Sequence, residues 1–147
     1  MRKEIEKLLQ SVQKPARYAG GELNSVMKDK SKVALRYAFC FPDTYEIGMS
    51  HLGMKILYGV ANAREDTWCE RVFAPADDME ALMRANGEPL FALESGDPIK
   101  DFDMIGFTMQ YELSYTNILN MLDLAGVPLR AEDRKSLTPI VAFGGPC

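Results

Sequence analysis

The sequence predicts a doubly wound α/β domain built on a parallel sheet, and three observations lead to it. Val33–Phe41, Phe102–Met109 and Pro139–Phe143 are short apolar runs that read as strands buried on both faces. Between the strands lie segments whose apolar residues recur at helical spacing. Turn residues (Pro42-Asp43, Gly87, Gly126, Pro128) separate the two kinds of segment, so that strands alternate with helices of crossover length.

In chain order, Ile5, Leu8, Leu9 and Val12 fall at i, i+3, i+4 and i+7, so residues 2–12 read as an amphipathic helix. Pro15 and Gly20-Gly21 end it and open a loop, Tyr18 to Lys32. There, Gly20-Gly21-Glu22 reads as a turn or as a ligand loop. The strand Val33–Phe41 follows. Ser50 is expected to cap a helix reaching Arg64, with Leu52, Ile56, Leu57 and Val60 facing inward. Trp68–Phe73 is a second strand. Asp77 and Glu80 have the spacing of a capping box, in a helix that Gly87 stops. Leu90–Leu93 is a short strand candidate, and Phe102–Met109 a buried strand. Ser114–Ala125 is a helix with Ile118, Leu119, Leu122 and Ala125 inward. Pro139–Phe143 runs directly into Gly144-Gly145. The two most continuously apolar runs, Val33–Phe41 and Phe102–Met109, should lie side by side at the centre of a sheet of order 2-1-3-4. The expected organisation is a helix-and-loop appendage over residues 1–32 and an α/β domain over 33–147. A covering helix normally follows a strand such as Pro139–Phe143, so the domain reads as incomplete, a fragment of a longer chain. Uncovered apolar surface there leads to an expectation of self-association through Ile140–Phe143 and the helix Arg2–Val12.

A chain of 147 residues fits one domain, and 47% hydrophobic with 26% charged residues is the composition of a globular protein rather than a disordered one. The longest mostly apolar stretch is far too short to span a membrane, and the charged N-terminus lacks the apolar core of a signal peptide, which makes the cytoplasm the default. Nine Lys/Arg and four Asp/Glu lie in residues 1–36, against eight and seventeen in the rest. The acidic body argues against nucleic acid as a partner. Cys40, Cys69 and Cys147 are widely spaced, and His51 is the only histidine, so neither a zinc site nor a serine-type triad is suggested.

Ligands of parallel α/β sheets sit outside the carboxyl ends of the strands. Three segments leave those ends with distinctive residues: Asp43-Thr44-Tyr45-Glu46-Ile47-Gly48, Thr108-Met109-Gln110-Tyr111-Glu112 and Gly144-Gly145. Taken singly, each has a plain structural use as cap, strand end or backbone turn. Their shared edge and chain order suggest a ligand platform. No Gly-x-Gly-x-x-Gly follows the first strand and no Walker lysine follows a glycine loop, so dinucleotide and nucleoside triphosphate readings fail.

The same three segments resemble the D-x-H-x-x-G, S-x-L and G-G motifs of cobalamin-binding domains. The stretches Pro15–Asn24, Phe41–Gly53 and Phe107–Asn117 resemble the N-terminal region of a family of radical S-adenosylmethionine proteins with a cobalamin-binding-like domain. The resemblance implies a flavodoxin-like or Rossmann-like fold. It implies that Asp43, Tyr45 and Gly48 face the lower side of a corrin, that Thr108 and Gln110 contact its tail, and that Gly144 and Gly145 allow close backbone approach. Tyr45 stands where the family places the cobalt-ligating histidine, and a neutral phenol is a poor replacement for imidazole. His51, six residues on, reads as a capping or core residue. Gln110 stands where the motif has Leu. Radical chemistry requires a 4Fe-4S cluster on three clustered cysteines, which Cys40, Cys69 and Cys147 do not supply. The cluster, S-adenosylmethionine and the catalytic domain, the implied partner, are therefore expected C-terminal to this chain. Two functions follow from the resemblance: a domain positioning a corrin or the substrate entrance, or a ligand-free α/β module docking on the catalytic domain. A free-standing signalling or flavin domain is a third. Weak or absent cobalamin binding is expected of this chain alone, since a corrin needs a second wall.

Overall fold

The computed structural model describes residues 2–146. Its sheet has four parallel strands: β1 (Leu35–Phe41), β2 (Thr67–Phe73), β3 (Met104–Thr108) and β4 (Ile140–Gly144), in the order β2-β1-β3-β4. The two most apolar strands, β1 and β3, are the central pair, as their composition requires. Five helices accompany the sheet: α1 (Lys3–Leu9), α2 (Tyr45–Ser50), α3 (Leu52–Asn62), α4 (Asp77–Asn86) and α5 (Tyr115–Leu124).

Right-handed crossovers assign the helices to faces. The chain moves one way from β1 to β2 and the other way from β2 to β3 and from β3 to β4, so α3 covers one face while α4 and α5 cover the other. Side-chain alternation agrees. Ala38, Cys40, Val72, Ile105 and Phe107 point into the core shared with Met79, Met83, Ile118, Met121 and Leu122. Phe39, Phe41, Cys69 and Phe73 point into a smaller core with Met54 and Tyr58.

The segment before residue 33 is tied onto this domain at many points. Ile5 and Leu8 of α1 are buried in the larger core, which occupies the apolar stripe that would otherwise be free for self-association. Lys28 Nζ donates to the carbonyls of Asn62 (2.9 Å), Arg64 (2.5 Å) and Thr67 (2.6 Å), satisfying the end of α3. Val26 donates its amide to the Tyr58 hydroxyl and accepts from Trp68 Nε1. The outer edge of β2 is closed as well, with the Leu93 amide donating to the Arg71 carbonyl (2.8 Å) and the Arg71 amide to Glu94 Oε2 (2.7 Å).

Several local expectations are corrected. His51, not Ser50, caps α3, its Nδ1 accepting from the Met54 amide at 3.2 Å; Ser50 belongs to α2 and bonds back to the Glu46 carbonyl. The inward face of α3 is Met54 and Tyr58, whereas Leu52 (69% exposed), Ile56 (55%), Leu57 (54%) and Val60 (64%) lie outside. Two stripes compete on this helix, and the one led by the larger aromatic faces the sheet. Asp77 is the first residue of α4 rather than its cap, a place taken by Ala76, so no capping box forms. Leu90–Leu93 makes only a bridge, Phe91 to Pro98. Leu119 of α5 is half exposed.

Candidate functional site

β1 ends at Phe41, and the Pro42 carbonyl accepts from Asn117 Nδ2 (2.8 Å), locking the strand end to α5. Asp43 Oδ1 accepts from the Thr44 amide (2.7 Å) and starts α2, while the Tyr111 hydroxyl reaches Oδ2 at 3.4 Å. β3 ends at Thr108, paired in register with Gly144, and the Met109 amide donates to the Gly144 carbonyl (2.7 Å). Asp43, Thr108, Gln110, Gly144 and Gly145 therefore share the carboxyl edge of neighbouring strands. Beside them lies a polar cleft of about 320 Å³ lined by Asp43, Asp77, Glu80, Asn117 and Asn120, whose acidic character repels phosphate.

Tyr45 and Gly48 are turned elsewhere. The Tyr45 hydroxyl donates to Glu22 Oε1 at 3.1 Å, and its ring packs edge-on against Phe73. Burial raises the pKa of this phenol, and Glu22 adds to the effect. Gly48 faces inward, where a Cβ would lie 2.3 Å from Phe73 Cε1, so its missing side chain lets α2 settle on Phe73. Gly145 has φ of +156°, and a Cβ there would stand 2.0 Å from the Met109 carbonyl oxygen; the close approach it permits is to the chain's own backbone. Gly144 differs, since a Cβ there meets nothing within 4 Å. Thr108 is buried, and its Oγ1 has no hydrogen-bond partner.

The cysteines do not form a cluster site. Cys40 belongs to one core and Cys69 to the other, and burial pushes both thiols up, whereas iron needs thiolates. Cys147 lies outside the described residues. Among the described residues no three His, Cys, Asp or Glu are grouped to hold a metal ion. No helix is long and apolar enough to cross a membrane.

Residues 53–147, about two-thirds of the chain, match the family model for the N-terminal region of radical SAM proteins. The chain belongs to that family. Membership implies S-adenosylmethionine and an iron–sulfur cluster in the full-length protein. No curated protein and no solved structure shows significant similarity to the chain.

For this radical SAM N-terminal region, the fit to a corrin is divided. The orphaned Thr108 hydroxyl beside the open Cα of Gly144 suits a polar ligand tail. The position below a ring does not suit cobalt, because Tyr45 is engaged with Glu22 and His51 caps α3 through Nδ1. The residues present do not form a cobalt-ligating site.

Sequence reading missed the charged residues packed against the smaller core. Arg71, in the fully buried strand β2, pairs through Nε with Glu94 (2.6 Å) and through Nη2 with Glu22 (3.1 Å). Burial works against its charge, and the two carboxylates overcome that and raise its pKa. Glu94 is shifted upward by its own burial. The available signal was Glu70-Arg71 inside an otherwise apolar strand, since buried charges demand partners. Gly20 and Gly21, both at positive φ, supply one by swinging Glu22 onto Arg71.

Proposed function

We propose that this chain is an α/β module that packs through its uncovered sheet face on the catalytic part of a radical SAM protein, shaping the substrate entrance there without ligating a corrin. One observation carries the reading: an apolar surface on the α3 side of the sheet. Lys55 and Gly59 of α3 look toward the loop 22–26, so the opposite flank, Gly53, Leu57 and Val60, looks toward β3 and β4. On that side Gly106 of β3 is covered by the Tyr37 side chain, whereas Ala142 and Ile140 of β4 lie under no helix, and Ile140 is 56% exposed. A parallel sheet needs both faces covered. In this family the catalytic part is the natural cover, and it would bring S-adenosylmethionine and the cluster.

The test is docking in trans. The catalytic part of a radical SAM protein that carries this chain should bind it, and Leu57→Glu with Val60→Glu should release it. Titration with hydroxocobalamin should leave the visible spectrum unchanged, and a tight complex would overturn the corrin-free reading.

The buried, unpartnered Thr108 Oγ1 favours a second reading, a corrin whose tail lies over β3 and β4 while the catalytic part supplies the other wall. In that case Thr108→Val would weaken cobalamin binding to the assembled protein and leave docking intact.

A further inference from the structure

Under α2 and α3, away from the strand ends, lies a cavity of about 390 Å³, within the size range of small-molecule sites. Its walls are apolar at Val26, Met49, Met54 and Tyr58 and polar at Glu22, Asn24, Lys55 and Arg71. Gly59 leaves it open, since a Cβ at that position meets nothing within 4 Å.

The polar end is Arg71, whose side chain is only 7% exposed. Its Nε and Nη2 are taken by Glu94, Glu22 and Ser25 (2.6, 3.1 and 2.8 Å). Nη1 carries two N–H groups and meets only Met49 Sδ, at 3.3 Å. A thioether is a weak acceptor, so this side of a buried guanidinium lacks an oxygen partner. Glu22 is already occupied by Tyr45, Ser25 and Arg71, and Glu94 by Arg71. Lys55 lines the same cavity and pairs with no carboxylate among the described residues. Two cationic donors therefore face one cavity, and the carboxylate that lines it with them, Glu22, already accepts from Tyr45, Ser25 and Arg71.

We propose that this cavity binds a small monocarboxylate with a slender apolar body, its carboxylate accepting from Arg71 Nη1 and Lys55 Nζ and its body lying between Met54 and Tyr58. A charge-assisted bond to an oxygen replaces the thioether contact, and Met49, a flexible side chain, can swing aside. The proposal does not depend on how the sheet face docks, because the cavity lies on the opposite flank of α3.

Octanoate is the probe, followed through amide shifts of residues 54–59 in the 147-residue chain. Saturable shifts are expected, with octan-1-ol at least about tenfold weaker and octylamine without effect. Lys55→Gln should weaken octanoate severalfold. Arg71→Lys keeps a charge for Glu22 and Glu94 but removes Nη1, and it should abolish saturation. Gly59→Leu fills the cavity at a position with open space and better helix propensity, so it should fold with an unchanged or higher Tm and lose octanoate binding. Gly59→Leu decides the question even where Arg71→Lys fails to fold. Unaltered binding by Gly59→Leu, equal affinity for octanol and octanoate, or no saturable shift with octanoate would each overturn the site.

Discussion

The two faces of the sheet are finished differently. On one, α1, α4 and α5 bury Met79, Met83, Ile105 and Met121 almost completely. On the other, α3 covers β1 and β2, the Tyr37 side chain covers Gly106 of β3, and β4 is left bare, while four large apolar residues of α3 point outward. Crossover handedness produces this asymmetry: only one connection in the chain runs in the direction that places its helix on the second face. Most apolar residues on the first face are thus internal packing, Leu119 and Phe143 excepted, and on the second they form a surface for something else.

Truncation separates the faces most strongly. Met79→Ala or Met121→Ala should destabilise by roughly 2–5 kcal/mol in urea denaturation, because a fully packed side chain leaves a cavity. Ile56→Ala should stay within about 0.5 kcal/mol, as surface changes do. A loss above about 2 kcal/mol for Ile56→Ala would mean that α3 is covered within this chain, and the comparison would fail.

The smaller core is held by charge as well as by packing. Glu94→Gln removes the carboxylate from Arg71 Nε, and breaking such a buried pair should cost about 3 kcal/mol or more. A change under about 1 kcal/mol would show that the Arg71 pairing contributes no more than a surface ion pair.

The bare face also makes the chain prone to meet itself. Light scattering should show self-association rising with concentration, driven by the β4 edge, by Ile140 on the bare face and by Phe143, exposed on the other face beside Phe107. Ile140→Lys with Phe143→Lys should return it to a monomer. Since α1 is already buried, Leu9→Ala should leave the association unchanged.

The smallest expected effect lies in the acid limb. The Gln13 amide bonded to the Asp78 carboxylate holds its pKa below the ordinary 3.8, so the stability it adds is present above that value and is lost as pH falls through the lower folded one. Asp78→Asn should remove this small contribution at neutral pH and so flatten the stability profile below about pH 4. An unaltered acid limb would show that the Gln13–Asp78 hydrogen bond adds nothing to the hold on the segment after α1.

The strands were legible because a doubly covered parallel sheet writes continuous apolar runs, and β1 and β3 show this most clearly. The helix α3 was legible as a helix but not in its orientation, since two apolar stripes share its sequence and only the sheet chooses between them. Of the candidate site residues, Asp43, Thr108, Gln110, Gly144 and Gly145 come to one edge because chain order and parallel topology dictate it. Tyr45 and Gly48 part from them because Phe73 and Glu22, distant in sequence, capture α2.

By itself the sequence determined the α/β class, the order of the strands, the resemblance to radical SAM N-terminal regions and the lack of a cysteine cluster. Each of these rests on residue type and local spacing, which folding does not alter. Only the tertiary structure decided which face of α3 is buried, that Glu22 and Glu94 meet Arg71, that Gly59 opens a cavity, and that the β4 side of one sheet face stays bare. Those depend on contacts between residues tens of positions apart, where packing volume and the need to partner buried charge choose among arrangements that local propensity leaves equal.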